Sequence, residues 1–142
     1  MTTLREQFQI VKNLDESFKT QGGLLYTTLF DLAPELRPVF SFGKLEGEEY
    51  ERKKEFQGAN TFRTIEKTLE QFGTEISTKR LHAMGVRHKE KYGVLPVHYD
   101  IVGEALIRVV TQVFGDKLTP ELKRIWVIGY GLIAHGMSDG VY

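Results

Sequence analysis

The segment MGVRHKEKYGVLPVHYDIVGEALI, residues 84–107, carries the strongest structural signal in this chain. From about Tyr99 to Phe114, apolar residues recur at three- and four-residue steps, which predicts an amphipathic helix. A shorter helix is predicted before it, from about Ser77 to Lys91, because Tyr92-Gly93 and Pro96 are typical of a helix end. The apolar side of the later helix consists of Ile101, Val102, Ala105, Leu106, Val109, Val110 and Val113.

Helical patterns extend from this segment toward both ends of the chain. Thr119-Pro120-Glu121 predicts a helix start, since it offers a capping hydroxyl, a proline that needs no N–H partner and a carboxylate near the positive end of the helix dipole. Upstream, a charged stretch from Glu46 passes into an apolar stripe that reaches Phe72, which predicts another amphipathic helix. The two stripes comprise Leu122, Ile125, Trp126, Ile133 and Met137, and Phe56, Ala59, Phe62, Ile65, Leu69 and Phe72.

The amino-terminal third combines helical patterns with breaks. Gly22-Gly23 is expected to interrupt an early helix, and a new apolar segment, LLYTTLFDLA, follows at residues 24–33. Pro34 and Pro38 predict a corner rich in turns. The early helix is built on Leu4, Phe8, Val11, Leu14 and Phe18. Without β alternation, repeats or low-complexity tracts, the sequence predicts one all-α domain over residues 1–142, with six to eight helices.

Composition narrows the classes of partner. The 142 residues include 19 basic and 19 acidic side chains and no cysteine. A balanced charge gives no reason to expect nucleic acid or an anionic membrane as a partner, and the lack of cysteine excludes disulfides and thiolate metal sites. No apolar run approaches the ~20 residues of a membrane span, and the amino end lacks the apolar core of a signal peptide. We therefore expect a soluble, cytoplasmic protein.

His88 is the candidate ligand among the four histidines. It shares a helical face with Leu81 and Met84, so its imidazole is expected to point into the apolar interior. A buried imidazole needs a partner, and two interpretations follow: a core histidine bonded to a backbone carbonyl, or an axial ligand to haem iron. The other three have no metal-binding spacing and are expected at the surface or its boundary; they are His82, His98 and His135.

Three stretches of the chain occur in a familiar order and spacing: LLYTTLFDLAPELRPVFSFG at 24–43, the opening segment at 84–107, and LTPELKRIWVIGYGLIAHGM at 118–137. In all three the chain resembles the globin family, and specifically its neuroglobin-like and flavohaemoglobin-like branch. The resemblance covers nearly the whole chain and implies a globin fold around a haem pocket, with haem b as the cofactor. In this family the histidine before a short loop and a Tyr-x-Ile-Val-Gly-Glu helix is the proximal iron ligand, which implies that role for His88.

The same resemblance implies two hydrogen-bond donors on the gas-binding side, Tyr26 and Gln57. A shift of the alignment by one residue would replace Gln57 by Phe56 or Gly58, and a shift of three by Asn60. Such donors stabilise the negative charge that bound oxygen acquires. If each contributes roughly 1–1.5 kcal/mol, the pair slows oxygen release on the order of a hundredfold. High oxygen affinity is therefore expected, with a much smaller gain for carbon monoxide.

Further pocket residues are implied by their positions in the family pattern. Phe40 is implied to stack against the porphyrin, and Thr61 to face the gas where the family usually has a branched apolar residue. Tyr99 is implied to lie near the proximal imidazole and to tune its basicity. The acidic partner of that tyrosine has no match, since Val141 stands there and Asp139 lies two residues earlier. The remaining implied haem contacts are Phe42, Leu81, Met84, Val94 and Val102.

Several functional alternatives stay open at this point. The resemblance implies a globin that binds O2, NO or CO, and that converts nitric oxide to nitrate if an external reductase supplies electrons, because the given sequence contains no flavin- or nicotinamide-binding region. A haem-based gas sensor and an all-α interaction module without haem are the other candidates. Lys53, Lys54 and Asn60 are candidate internal iron ligands, although a solvated charged face is the commoner role of such residues.

Overall fold

The computed structural model describes residues 4–15, 17–71 and 74–142, and within these ranges it contains six α-helices and no β-strand. The all-α prediction is therefore confirmed. No helix in these ranges combines the length and apolar character needed to cross a bilayer. Phe72 lies outside the described residues, as do the side chains of Leu4 and Leu69. The helices are α1 (Leu4–Leu14), α2 (Lys19–Leu32), α3 (Gly47–Gln71), α4 (Glu75–Tyr92), α5 (Pro96–Phe114) and α6 (Pro120–Ser138), with 3-10 turns at Pro34–Val39, Ser41–Lys44 and Gly115–Lys117.

The break between α1 and α2 lies between Leu14 and Lys19, so the prediction of a break at Gly22-Gly23 was wrong. The Asp15 carboxylate accepts hydrogen bonds from the backbone N–H groups of Ser17 and Thr20, each at 3.0 Å, and Phe18 adopts a φ of 60°. The Ser17 hydroxyl also donates to Asp15 at 2.6 Å, and this bond is the main reason that the pKa of Asp15 falls to about 2. An ionised carboxylate therefore closes the turn that begins α2.

Helix α2 crosses α3 at very short range, and Gly22 is the residue of α2 at this crossing. A Cβ on Gly22 would overlap the backbone of Gly58, and a Cβ on Gly58 would overlap the backbone of Gly22. Glycine on both helices permits this close approach. Tyr26 stands one turn after Gly22, and Gln57 directly precedes Gly58, so the crossing brings their two helices together at the candidate site.

The interior consists of two apolar clusters. The larger lies among α1, α2, α3, α5 and α6, where the rings of Phe18 and Phe62 stack at 5.7 Å and those of Phe8 and Trp126 lie 6.0 Å apart. Helix α4 packs mainly against α6 rather than against α3. The smaller cluster therefore joins α4, α5 and α6, through Leu81, Tyr99, Ile133 and Met137.

Predictions that rest on local chemistry are confirmed at the helix ends. The Thr119 side chain accepts a hydrogen bond from the N–H of Leu122 at 3.2 Å and caps α6. Gly93, with a φ of 67°, ends α4 in the left-handed conformation. Helix α5 begins at Pro96, three residues before the predicted start, because proline is well tolerated in a first helical turn.

Two residues that were assigned to buried stripes are exposed instead. Leu14 is 62% exposed because α1 ends at this residue. Phe56 is 58% exposed. Gly58 and Phe62 lie on the buried side of α3. Phe56 precedes Gly58 by two residues and therefore points about 200° away from it around the helix axis. These two assignments were wrong.

Candidate functional site

The imidazole of His88 is half-buried on α4, and its Nδ1 lies 2.7 Å from the carbonyl oxygen of Met84. A carbonyl oxygen only accepts hydrogen bonds, so Nδ1 is the protonated nitrogen when the ring carries one proton. The other nitrogen, Nε2, then has a free lone pair. This bond agrees with the interpretation as a core histidine, and it is also the bond by which metal-ligating histidines hold their orientation.

Two tyrosine rings flank His88. Tyr92 meets it edge-on at 5.7 Å, and Tyr99 lies 6.5 Å away at a tilt of 32°. Tyr99 is buried, which is the main reason that its pKa is raised, and its hydroxyl makes no well-formed hydrogen bond within the described residues. The neighbouring Tyr142 hydroxyl donates to the Val94 carbonyl at 2.6 Å instead. The Tyr99 ring therefore lies against the imidazole, while its hydroxyl interacts with Tyr142 without a well-formed hydrogen bond.

Val141 stands where the family pattern has an acidic partner for Tyr99, and its backbone carbonyl contacts Lys89. Lys89 donates from Nζ to the carbonyl oxygen of Val141 at 2.8 Å, while Asp139 is exposed. No carboxylate is thus recorded in hydrogen-bond contact with Tyr99 or His88 in the described part of the chain.

A second group of polar side chains gathers where α2 crosses α3. The hydroxyl of Tyr26 pairs with the Thr61 hydroxyl at 3.0 Å, and Thr61 in turn donates to the backbone carbonyl of Gln57 at 3.0 Å. The Gln57 side chain lies close enough to the Tyr26 hydroxyl to lower its pKa slightly, without a recorded hydrogen bond between the two side chains. We call these three residues the distal network. Burial is the main cause that raises the pKa of Tyr26, so the phenol keeps its proton.

Two phenylalanines hold the Tyr26 ring in place. Phe40 meets it at 5.1 Å and Phe42 at 5.4 Å, both edge to face. Phe42 is buried inside the larger cluster and also contacts Tyr50, whereas Phe40 is only partly buried. Of the two predicted haem contacts, Phe40 therefore lies at the border of the core and Phe42 within it.

Several predicted contact residues are apolar and only half-buried. Met84 and Val94 pack on the smaller cluster and Val102 on the larger one, while Ile65 packs on both. Leu81 is buried in the smaller cluster. The sequence analysis did not include Ile65 among the site residues, although it follows Thr61 by four residues on the same helical face. Half-covered apolar side chains beside an imidazole match the chemistry of a flat apolar group with a metal at its centre.

Two of the three candidate internal ligands have partners elsewhere, while Lys53 is exposed, as expected of a solvated charged face. Lys54 is buried, and its Nζ lies 2.8 Å from both the Thr27 hydroxyl and a carboxylate oxygen of Glu51. Asn60 accepts a hydrogen bond from Arg63 at 3.1 Å. Lys54 thus belongs to the contact between α2 and α3, in contrast to the solvated charged face that was the commoner expectation.

The remaining histidines lie at the surface or its boundary, as predicted. His82 and His135 are exposed. His98 is half-buried and accepts a hydrogen bond from the Leu95 N–H at 2.9 Å, which caps α5. Across the described ranges, no group of three histidine, aspartate or glutamate side chains is placed to hold a metal ion.

The arrangement of these helices is that of the haemoglobins. The structure superposes on the haemoglobin of the shortfin mako, Isurus oxyrinchus, with a TM-score of 0.76 over 97% of this chain and 96% of that one, at 17% identity. The deoxy haemoglobin of Mustelus griseus gives the same TM-score over the full length of both chains, at 18% identity. These likenesses confirm the globin fold.

Sequence comparison identifies the family to which the chain belongs. The globin family model matches residues 23–137, and the chain belongs to the globin family. It is 30% identical to leghemoglobin-1 of Lupinus luteus over 138 residues, which span 90% of this chain and 88% of that protein. It is also 30% identical to the flavohemoprotein of Bacillus subtilis over 124 residues, 85% of this chain, but the match spans only 29% of that protein's length.

Proposed function

We propose that this globin binds haem beside α4, with His88 as the iron ligand, and that it binds a diatomic gas. The observation that carries the proposal is the 2.7 Å contact of His88 Nδ1 with the Met84 carbonyl, which leaves Nε2 as a free donor atom. Phe40, Met84 and Val102 supply half-buried apolar surface for the porphyrin. Bound haem would supply an iron that takes O2, NO or CO as a ligand. The type is proposed as haem b, since the chain has no cysteine for a thioether link.

The residues of the chain then set how a gas is held. Tyr26 is buried and protonated, so its hydroxyl can donate a hydrogen bond to a polar ligand in the pocket. Gln57, which is exposed at the edge of the site, offers amide N–H donors beside it. Thr61 competes for the Tyr26 proton, because its hydroxyl oxygen already accepts within the distal network. The gain expected from two donors is thus reduced by the cost of one existing hydrogen bond.

The proposed ligand is tested by haem reconstitution of the purified chain. The expected result is a Soret band that is lost, or greatly weakened, in His88→Ala and restored when free imidazole is added. His82→Ala is the matched control, because this exposed histidine lies on the same helix and should leave the spectrum unchanged. A Soret band and CO shift that His88→Ala leaves intact would refute the assignment, provided that circular dichroism shows the variant folded.

A second proposed function, nitric oxide dioxygenation, is favoured by the similarity to a flavohemoprotein. In that reaction nitric oxide, O2 and one electron combine to give nitrate. We propose that a reductase supplies this electron and that the reaction takes place in the cytoplasm. The test mixes the oxygenated protein with nitric oxide in a stopped-flow instrument: nitrate should form once, and then repeatedly when a ferredoxin- or flavin-type reductant is supplied. Absence of turnover with every reductant would leave reversible gas binding alone.

A further inference from the structure

One face of α6 is apolar although it points to water. Val127, Ile128 and Leu132 are 50%, 55% and 49% exposed, and Gly131 between them has nothing within 4 Å of the position of a Cβ. We call these four residues the α6 face. Exposed helix faces are normally polar, and a contiguous apolar face marks a binding surface.

The α6 face borders a groove of about 660 Å³ between α5 and α6. The groove is floored by small or apolar groups, so another helix can approach it closely. Gly103 provides much of this room, since a Cβ there would meet the ring of Tyr130 at 2.8 Å. The floor and walls include Gly103, Ile107, Tyr130, Gly131 and Ala134.

Opposite charges stand at the two ends of this surface. Arg124 lies one turn before Val127 on the exposed side of α6, while Asp100 lies on the α5 wall, at the end of the groove that His135 and Ser138 line. Neither Arg124 nor Asp100 is recorded in an ion pair within the described ranges, whereas the neighbouring Glu104 is paired with Arg108. A basic side chain without a recorded ion pair therefore lies at one end of this surface, and an acidic side chain without one lies at the other.

A two-fold axis makes this surface complementary to itself. The four residues of the α6 face are centred between positions 129 and 130, so Arg124 lies about 8 Å before the centre at 1.5 Å per residue. A two-fold rotation places the Arg124 of a second copy about 8 Å beyond the centre of the α6 face of the first copy. This point is level with His135 of the first copy and hence beside its Asp100. We propose that the α5 and α6 surface binds a second copy of this chain, with the two α6 faces in contact and two Arg124–Asp100 pairs across the interface.

The available area indicates a dimer of moderate affinity. Each of the two helices has 19 residues and is about 28 Å long and about 10 Å wide, which gives a footprint of roughly 560 Å². Stable complexes bury about 800 Å² per partner. We therefore expect a micromolar dissociation constant and a dimer that separates on dilution.

Sedimentation of the purified full chain between about 1 and 100 μM tests the proposal. The chain should shift from monomer to dimer over this range, and Ile128→Glu should hold it monomeric. Arg124→Asp and Asp100→Arg should each weaken association at least tenfold, and the double exchange should restore it. Lys79→Glu, an exposed change on α4, is the control. A chain that is monomeric at 100 μM, or an exchange without rescue, would overturn the proposal.

The lack of cysteine permits a second, independent test. Helices that pack 8–10 Å apart bring facing Cα atoms within disulfide reach. Gly131→Cys lies beside the two-fold axis, so mild oxidation should convert most of it to a covalent dimer, whereas Lys79→Cys should stay largely monomeric. Equal cross-linking of both variants would refute the arrangement. Neither test depends on haem, so the dimer can fail while the proposed gas binding stands.

Discussion

Replacing Thr61 by valine should slow the release of oxygen from this globin. Valine has nearly the shape of threonine but lacks the hydroxyl that pairs with Tyr26 at 3.0 Å. Because Thr61 donates its own proton to the Gln57 carbonyl, its oxygen is the acceptor for the Tyr26 proton. The substitution therefore frees the phenol without opening a cavity around it.

The magnitude follows from the hydrogen bond that is removed. In the natural chain, Tyr26 must give up a neutral hydrogen bond worth about 1 kcal/mol before it can donate to a gas. Thr61→Val removes this cost, because the ligand-free state then has a buried hydroxyl with one partner fewer, and the net gain for the oxygen-bound state is about 1–2 kcal/mol. Since about 1.4 kcal/mol is a factor of ten, oxygen dissociation should slow by about fivefold to thirtyfold.

Stopped-flow displacement of oxygen by carbon monoxide measures this rate directly. Carbon monoxide release is the internal control, because this ligand is less polar and should change by less than about twofold. The double-mutant cycle with Tyr26→Phe separates the two side chains. In the natural background Tyr26→Phe should raise oxygen dissociation only a few-fold, and in the Thr61→Val background at least tenfold.

Two results would refute this reasoning. An oxygen dissociation rate that Thr61→Val leaves unchanged or raises would mean that Thr61 does not compete for the Tyr26 proton. Equal effects of Tyr26→Phe in both backgrounds would mean that the two residues act independently. A parallel change in carbon monoxide release would indicate altered access to the pocket rather than altered hydrogen bonding.

Two further predictions concern the helix crossing and the first turn. Asp15→Asn should lower the melting temperature by about 2–4 °C at pH 7. Because the pKa of Asp15 in the folded chain is about 2, below its usual value of 3.8, this difference should shrink as the pH falls from about 4 to about 2. An equal difference in melting temperature at pH 2 would contradict this prediction. Gly22→Ala should destabilise the chain in urea by about 1–3 kcal/mol through overlap with Gly58. Gly131→Ala, with open space at the Cβ, should stabilise it by up to about 1 kcal/mol, so similar midpoints for the two variants would contradict the crossing argument.

The sequence predicted the parts of the fold that depend on local chemistry. The cap at Thr119 and the left-handed Gly93 are confirmed, since the turn geometry at each of these positions is set by one residue and its near neighbours. The two glycines at 22 and 23 carry the same local signal as a break, yet they lie within a helix. The reason at Gly22 is the contact with Gly58, 36 residues away, and no pattern within one helix could indicate that contact.

The candidate site likewise combines contacts that are local in sequence with contacts between distant residues. The contact of His88 with Met84 joins residues one helical turn apart, and the histidine's face could be predicted from helical period alone. The pairing of Tyr26 with Thr61 spans 35 residues and depends on how closely α2 crosses α3. Sequence reasoning therefore treated Tyr26 as a free donor, and it noted Thr61 only as a polar residue in an apolar position.

The glycine crossing and the distal network are consequently parts of one arrangement. Without a Cβ on Gly22 or Gly58, α2 and α3 come close enough for the phenol of Tyr26 to meet a side chain on α3. A branched apolar residue at position 61 would fill the same space but could not accept the phenol's proton. In the proposed gas-binding role of Tyr26, the residue one turn beyond Gln57 sets the strength of the hydrogen bond to the gas. A pocket with the same two donors but an apolar position 61 should therefore release oxygen more slowly.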